Sequence, residues 1–353
     1  MRFKPYPWLW PLSIPYQAGV QLRNHAYDHN IISSQEVDAP VISVGNISVG
    51  GTGKTPFVLF LLKLLHDLHL PKKGRTAVIS RGYGGKAKTT TVVSDGKRIL
   101  ETAEIAGDEP VMIAESATGS IVVVDPKRVR GAKFAVDALK AGALVLDDGF
   151  QHRKLRRDLD IVMLDGKNPL GSKRLLPAGI LREPASSLKR ADIVVLSNPI
   201  GTVEELTVRA EKLEVLIGKP VIVTHQVPQY WKRAGHNELM GLEEGKGRKV
   251  LAFSGIANPE GFFKSVTELG VNLVSKIALP DHCRYGKKEI EMISKEFSSL
   301  KAEWLVTTAK DGVKLPSLFC LLPIYQLFIH TSILVGQERL EKSLVELFSF
   351  NEK

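Results

Sequence analysis

VISVGNISVGGTGKTPF, residues 41–57, joins a continuous apolar run to a glycine-rich turn and then to the opening of a helix. VISVG (41–45) has the character of a buried parallel strand, and FVLFLLKLLHDLHL (57–70) that of a strongly apolar helix. A turn in that setting points successive backbone N–H groups at an anion, and the helix dipole favours negative charge at the same spot. The pattern predicts that Lys54 reaches the β- and γ-phosphates of a nucleotide and that the Thr55 hydroxyl ligates Mg²⁺. Gly50, Gly51 and Gly53 let the backbone approach without Cβ clashes, and Pro56 falls in the first helical turn, where its missing N–H is tolerated. One position departs from GxxxxGK[ST]: Ser48 stands where the first glycine is expected. The residues expected to hold ATP are Ser48, Val49, Gly50, Gly51, Thr52, Gly53, Lys54 and Thr55.

Outward from this loop, strands and helices alternate. TAVIS (76–80) reads as a strand, TTVVSDGKRIL (90–100) as a hairpin with an Asp-Gly turn, and DEPVMIAESAT (108–118) as a helix. SIVVVD (120–125), ALVLDD (143–148), DIVMLDG (160–166) and DIVVLSN (192–198) are further strands, with a helix over 129–141. This is the pattern of an α/β fold, P-loop NTPase-like, with a mostly parallel sheet flanked by helices. After GLEEGKGRK (241–249) the segments VLAFSGI, PEGFFKSVTELG and WLVTTA repeat the alternation, which predicts a second, smaller α/β domain. The expected division is an N-terminal arm and helix over 1–35, a P-loop core over 36–200, and a smaller domain over 201–353.

A phosphate loop needs an acidic partner for its metal. In ALVLDDGFQH (143–152) an apolar strand ends in Asp147 and Asp148, and a carboxylate at that end of a parallel strand sits beside the loop. Asp147 is therefore the expected metal ligand, against the plainer reading of two turn aspartates before Gly149. Asp108 and Glu109, in AGDEP, precede a helix, and taken alone they read as a cap with acidic first-turn residues.

The 353 residues carry a net charge of +10, which implies an anionic partner such as phospholipid head groups, a phosphorylated small molecule or nucleic acid. A hydrophobic fraction of 44% and a charged fraction of 24% are ordinary for a globular protein and exclude a disordered chain or a repeat array. Cys283 and Cys320 show no CxxC spacing, so neither a disulfide framework nor a structural zinc site is expected. PYPWLWPLSIPY (5–16) is broken by prolines and is shorter than the ~20 residues that span a bilayer. It does not read as a signal peptide. Tyr6, Trp8, Trp10 and Tyr16 beside Arg2, Lys4 and Arg23 suit a membrane–water interface, and an arm tucked against the protein's own core fits as well. A short helix is expected over 16–30.

Six motifs occur in order: GNISVGGTGKTP, SRGYGG (80–85), GDEP (107–110), LDDGFQH (146–152), LLPAGILREP (175–184) and LPDHCRY (279–285). Together they resemble the tetraacyldisaccharide 4′-kinase family, from the N-terminal arm to TTAKDGVKL (307–315). The resemblance implies transfer of the γ-phosphate of ATP to the 4′-hydroxyl of a tetraacylated disaccharide 1-phosphate, at the cytoplasmic face of a bacterial inner membrane. It also implies that Asp108 is the catalytic aspartate, paired with His282, and that Glu109 and Asp147 organise Mg²⁺ with Asp148 as near support. The family's usual TTEKD reads TTAKD here and its DHH or DHQ reads DHC, so Ala309, Lys310 and Asp311 are left out of the expected site. In this light PKRVRGAK (126–133) and HRKLRR (152–157) become candidates to hold the substrate phosphate or anionic lipid head groups, or are solvated charged faces. The aromatic arm becomes a candidate for peripheral contact with an anionic membrane surface.

A reading from another class is a P-loop ATPase switch acting on a protein partner. The chain has no NKxD guanine signature and no obvious partner-binding tail, so no obligate protein partner is expected. A nucleic-acid partner is not expected either, because the basic residues are dispersed and lack interleaved aromatics for base stacking.

Overall fold

The computed structural model describes residues 6–236, 238–316 and 319–350. From the N-terminus the elements are α1 (Trp10–Asp28), β1 (Val41–Asn46), α2 (Lys54–Asp67), β2 (Arg75–Ser80), β3 (Thr91–Asp95) and α3 (Ala103–Ala106). Then follow α4 (Asp108–Ser116), β4 (Ile121–Val124), α5 (Arg128–Asp137), β5 (Ala141–Asp147), β6 (Leu159–Asp165), β7 (Ile193–Ser197) and α6 (Val203–Ile217). The remainder is β8 (Val221–Arg233), β9 (Leu239–Met240), β10 (Lys249–Ser254), α7 (Pro259–Glu268), β11 (Asn272–Ala278), α8 (Lys287–Leu300), β12 (Trp304–Thr308), α9 (Ala309–Gly312), β13 (Ile324–Val335) and α10 (Gln337–Phe350).

The strands form one mixed sheet in the order β11-β10-β12-β13-β8-β7-β6-β1-β5-β2-β4-β3, with β9 paired to β8. The run from β8 through β7, β6, β1, β5 and β2 to β4 is parallel, and so is the run from β11 to β13. The two parallel runs are joined by β8 and β13, which pair antiparallel along nearly their whole length, from Tyr325 opposite Arg233 to Val335 opposite Val223. Strands buried on both faces explain the unbroken apolar runs of the sequence: every residue of β1 and β4 is buried.

Two packed regions result. In the larger, the apolar face of α2 (Phe57, Val58, Leu61, Leu65) meets Val111 and Ile113 of α4 and Leu340, Leu344 and Phe348 of α10 over one face of the sheet. α5 covers part of the other face through Val129, Ala132 and Ala135, and α6 covers another part through Leu206 and Ala210. The smaller region packs Trp231, Phe262, Phe263 and Trp304 on one side of β10 and β12, and Phe253, Tyr285 and Phe319 on the other. Residues 201–223 and α10 thus pack with the P-loop core, and the chain between Trp231 and Leu327 supplies the smaller core.

Three local expectations are corrected. α1 begins at Trp10, before the expected 16, and runs through Pro15. Pro11 lies where first-turn N–H groups have no helical partner, and Pro15 removes one interior hydrogen bond. The second arm of the 90–100 hairpin is reduced to a bridge between Ser94 and Ile99. α2 opens at Lys54, which puts Lys54 and Thr55 into its first turn with Pro56, but it ends at Asp67, three residues before the expected 70 and ahead of the left-handed His69. Arg2 and Lys4 lie outside the described residues.

Candidate active site

The C-terminal ends of the strands carry the polar groups, as open α/β sheets require. β1 ends at Asn46, whose side-chain amide donates to the Thr52 hydroxyl at 3.1 Å across the phosphate loop. The loop is strapped down by LLPAGILREP: Val49 N–H donates to the Ile180 carbonyl at 2.8 Å, and Arg182 N–H to that of Ile47 at 2.7 Å. Gly53 has φ +81°, and a Cβ there would stand 2.4 Å from Nε2 of Gln226 and 2.9 Å from Oγ of Ser197. Only glycine fits the turn that delivers Lys54 to the helix start.

Asp147 and Asp148 follow from β5 and have opposite characters. Asp148, at φ +53°, stands 3.5 Å from Nζ of Lys54 and accepts from Nη1 of Arg182 at 2.9 and 3.0 Å. Burial alone would raise its carboxyl, but Lys54 and Arg182 outweigh that and hold it at about 2. Asp147 is fully enclosed, with Oδ2 3.4 Å from the Ser80 hydroxyl and Oδ1 without a hydrogen-bond partner among the described residues. Burial first, then the negative fields of Glu109 and Asp148, push it up to about 7.

That imbalance bears on the metal. A buried carboxylate with an orphaned oxygen, facing a second carboxylate, is the oxygen-rich setting that suits a hard divalent cation. Asp147 and Glu109 are close enough for the charge of one to raise the other, and both are oxygen donors of the kind Mg²⁺ takes, so this carboxylate pair fits the ion.

Asp108 and Glu109 open α4 behind Gly107, whose φ is +92° and whose Cβ would meet the Tyr83 carbonyl at 2.6 Å. SRGYGG and GDEP are therefore packed backbone to backbone. From the smaller region, the turn after β11 brings His282 to the same place. Its Nδ1 is 3.0 Å from Oδ2 and 3.3 Å from Oδ1 of Asp108, and its ring lies 5.3 Å from that of Tyr83, centroid to centroid. Burial would raise Asp108, but the His282 hydrogen bond, Lys310 and Lys314 together hold it below the usual carboxylate range. The same hydrogen bond raises His282.

The expected site omitted Lys310, and the structure sets it against both acidic residues: Nζ is 2.9 Å from Glu109 and 4.0 Å from Asp108. Lys314 approaches Asp108 to 3.8 Å and pairs with the fully buried Asp311 at 2.8 Å. Asp311 in turn accepts from Thr308, Ser254 and the Gly255 N–H, tying β12 to the end of β10. The signal was TTAKD itself, which repeats the placement of charged residues just past an apolar strand. Ala309 adds no charged group there.

The basic stretches are largely used internally. Arg130 pairs with Asp125, Arg153 with Asp28, Arg156 with Glu36 and Arg157 with Asp160. Arg128 donates to the carbonyls of Asp147 and Asp148 at 3.3 and 3.1 Å, which fixes the strand end that carries the two carboxylates.

The profile of the tetraacyldisaccharide-1-P 4′-kinase family matches residues 6–349. A tetraacyldisaccharide 4′-kinase of Geobacter metallireducens is 41% identical over 316 residues, 86% of this chain and 87% of the relative. The enzyme of that name from Desulfotalea psychrophila is 38% identical over 327 residues, 92% of each chain. Among solved structures, the "apo" form of LpxK from Aquifex aeolicus in complex with ATP superposes with a TM-score of 0.79 and 35% identity, over 96% of this chain and 98% of that one. Matched in sequence over nearly its whole length, the chain belongs to the tetraacyldisaccharide-1-P 4′-kinase family.

Proposed function

We propose that this chain transfers the γ-phosphate of ATP to the 4′-hydroxyl of tetraacyldisaccharide 1-phosphate, with Asp108 accepting the hydroxyl proton. The observation that carries this reading is the 3.0 Å contact between Asp108 and His282, 174 residues apart in sequence. A buried carboxylate held by an imidazole from another element has little structural reason to exist, and it is a suitable acceptor for an alcohol's proton.

The loop N–H groups and Lys54 hold the β- and γ-phosphates, and Asp148 with Arg182 fixes the lysine. The 4′-oxygen bonds to the γ-phosphorus as the bond to the β-phosphate oxygen breaks, and ADP leaves. Asp108 is a weak base, which suits a loose transition state in which the proton moves late. His282 orients it and Lys310 stabilises the charge on the acidic pair. Bound Mg²⁺ would offset the negative charge of the phosphates, held by Thr55, Asp147 and Glu109.

The same reading assigns residues 1–35 to an anionic membrane surface, 36–200 to the phosphates, and much of 201–353 to closure over the nucleotide. Support for the first comes from α1, which buries none of its residues and leaves Trp10, Leu12, Ile14 and Leu22 exposed, with Trp8 exposed in the turn just before it. Among the described residues no helix is long and apolar enough to cross a membrane; the proposed contact is peripheral, and the proposed place for it is the cytoplasmic face of the inner membrane.

The test is incubation in detergent micelles with labelled ATP, Mg²⁺ and tetraacyldisaccharide 1-phosphate. A bisphosphorylated lipid that disappears in Lys54→Ala is the expected product. ATP turnover without labelled lipid would favour the switch acting on a protein partner.

A further inference from the structure

Helix α1 is attached to the rest of the molecule in an unusual way. None of its residues is buried, and polar groups hold it: Ser13 donates to the Leu175 carbonyl at 3.0 Å, Tyr16 to that of Arg182 at 3.0 Å, and Arg23 and Asn24 to Glu183 at 3.3 and 2.8 Å. Glu183 is completely buried. Its Oε1 also accepts from Gln151 at 3.2 Å, and its Oε2 from Arg190 at 2.7 Å. Burying a carboxylate among this many donors is a costly way to seat a helix if seating is its only role.

From Glu183 the bonds lead directly to the phosphate loop. Gln151 donates to the carbonyl of Asn46, the last residue of β1, at 2.8 Å, and its Oε1 accepts from Arg182 at 3.2 Å. The same Arg182 nitrogen holds both oxygens of Asp148, and Asp148 faces Lys54 at 3.5 Å. Asn24 on α1 and Lys54 are thus the ends of one chain of polar contacts, Asn24–Glu183–Gln151–Arg182–Asp148–Lys54. Glu183 also donates its N–H to the Ile47 carbonyl at 3.4 Å, so its backbone lies against the loop as well.

We propose that Glu183 is a positioning residue that transmits the seat of α1 to the Asp148–Lys54 pair, so that the nucleotide site is fully set only while α1 is docked. The proposal rests on the reading of Lys54 as a phosphate ligand. It makes α1 a sensor as well as an anchor: whatever holds the helix in place also orders the lysine. Networks of this kind show non-additive energetics when two members are removed.

The experiment uses the full chain in detergent without any lipid acceptor, and reads ADP affinity by calorimetry together with thermal stability. Asn24→Ala, which removes a group far along the chain from Lys54, is expected to weaken ADP binding at least threefold. Gln151→Ala is expected to do the same, and the double variant to lose less than the product of the two. Glu183→Gln gives the strongest loss if it folds; the two milder variants decide the matter otherwise. Lowered thermal stability with wild-type ADP affinity in Asn24→Ala would overturn the proposal, leaving a merely structural carboxylate. So would strictly multiplicative losses. Lys54→Ala binding ADP like the wild type would remove the phosphate-ligand reading itself. Failure to phosphorylate the lipid is read in a separate assay and leaves these affinities unaffected.

Discussion

Lys310 and Glu109, 201 residues apart in the chain, meet at 2.9 Å, and the same ammonium stands 4.0 Å from Asp108. The contact joins the start of α9 to the start of α4, so a cation of the smaller packed region sits on the acidic pair of the larger one. Removing it leaves two carboxylates facing each other and Asp147. Lys310→Met should therefore lower kcat by about 10²-fold, in the range found for loss of one preorganised charge donor. Steady-state kinetics with the lipid acceptor check this, and a kcat within a few-fold of wild type would show that Lys310 is only a structural tie.

Asp108→Asn keeps the shape of the side chain and removes the proton acceptor. Loss of a general base lowers turnover by about 10²–10⁴-fold. KM for ATP should change little, since Asp108 is not among the loop residues. His282→Asn acts through Asp108, so the double variant should be hardly worse than Asp108→Asn alone. Independent, multiplying losses would separate the two roles.

Gly53→Ala places a Cβ at φ +81°, 2.4 Å from Gln226. Backbone strain of this kind costs about 1–3 kcal/mol. The variant should lose that stability in denaturant titrations and should bind ATP far more weakly, because the loop's N–H groups shift with it.

His152 gives a pH signature of folding. Burial first, then the positive fields of Arg128, Arg157, Arg81 and Lys154, push its imidazole down to about 4. An unfolded histidine titrates near 6.5. Between these values the unfolded chain binds a proton that the folded protein does not, so stability rises with pH. The contribution is complete above 6.5 and is lost as pH falls toward 4. His152→Gln should narrow the stability difference between pH 5 and pH 7.5 in urea unfolding; an unchanged difference would mean that His152 is charged in the fold.

Trp8 and Trp10 are 72% and 57% exposed. If they enter a membrane interface, each buried ring contributes about 1.5–3 kcal/mol, and replacing one by alanine should weaken binding to anionic vesicles about tenfold. Flotation assays on Trp8→Ala and Trp10→Ala measure it. Wild-type binding by both would move the membrane contact elsewhere on the molecule.

What the sequence revealed was local. A strand, a glycine turn and a helix lie within residues 41–67, and their order, apolar character and turn chemistry are all written in adjacent residues. The same holds for the alternating strands up to β7, and for Asp147 and Asp148 at a strand end. The partnership of Asp108 with His282 is a different matter. Neither residue is distinguished by its neighbours, and only the resemblance of six motifs linked them. Lys310 and Asp311 stay out of the expected site because Ala309 breaks a familiar pattern, and nothing in the sequence singles out Lys314, although both lysines reach Asp108. The internal use of HRKLRR was invisible for the same reason: Asp28 and Glu36 are distant in sequence. The start of α1 was misjudged because prolines were read as helix breakers where two of them fall in or near the first turns.

Helix α10 carries a further consequence. Leu340, Leu344 and Phe348 belong to the same apolar cluster as Phe57 and Leu61 of α2, at the opposite end of the chain. During synthesis the N-terminal part of a protein ordinarily folds first. Here the face of the P-loop core that awaits α10 has no cover until residues 337–350 have been made. The newborn chain must carry that greasy face through the making of the whole smaller region, which makes truncation near residue 340 a route to aggregation.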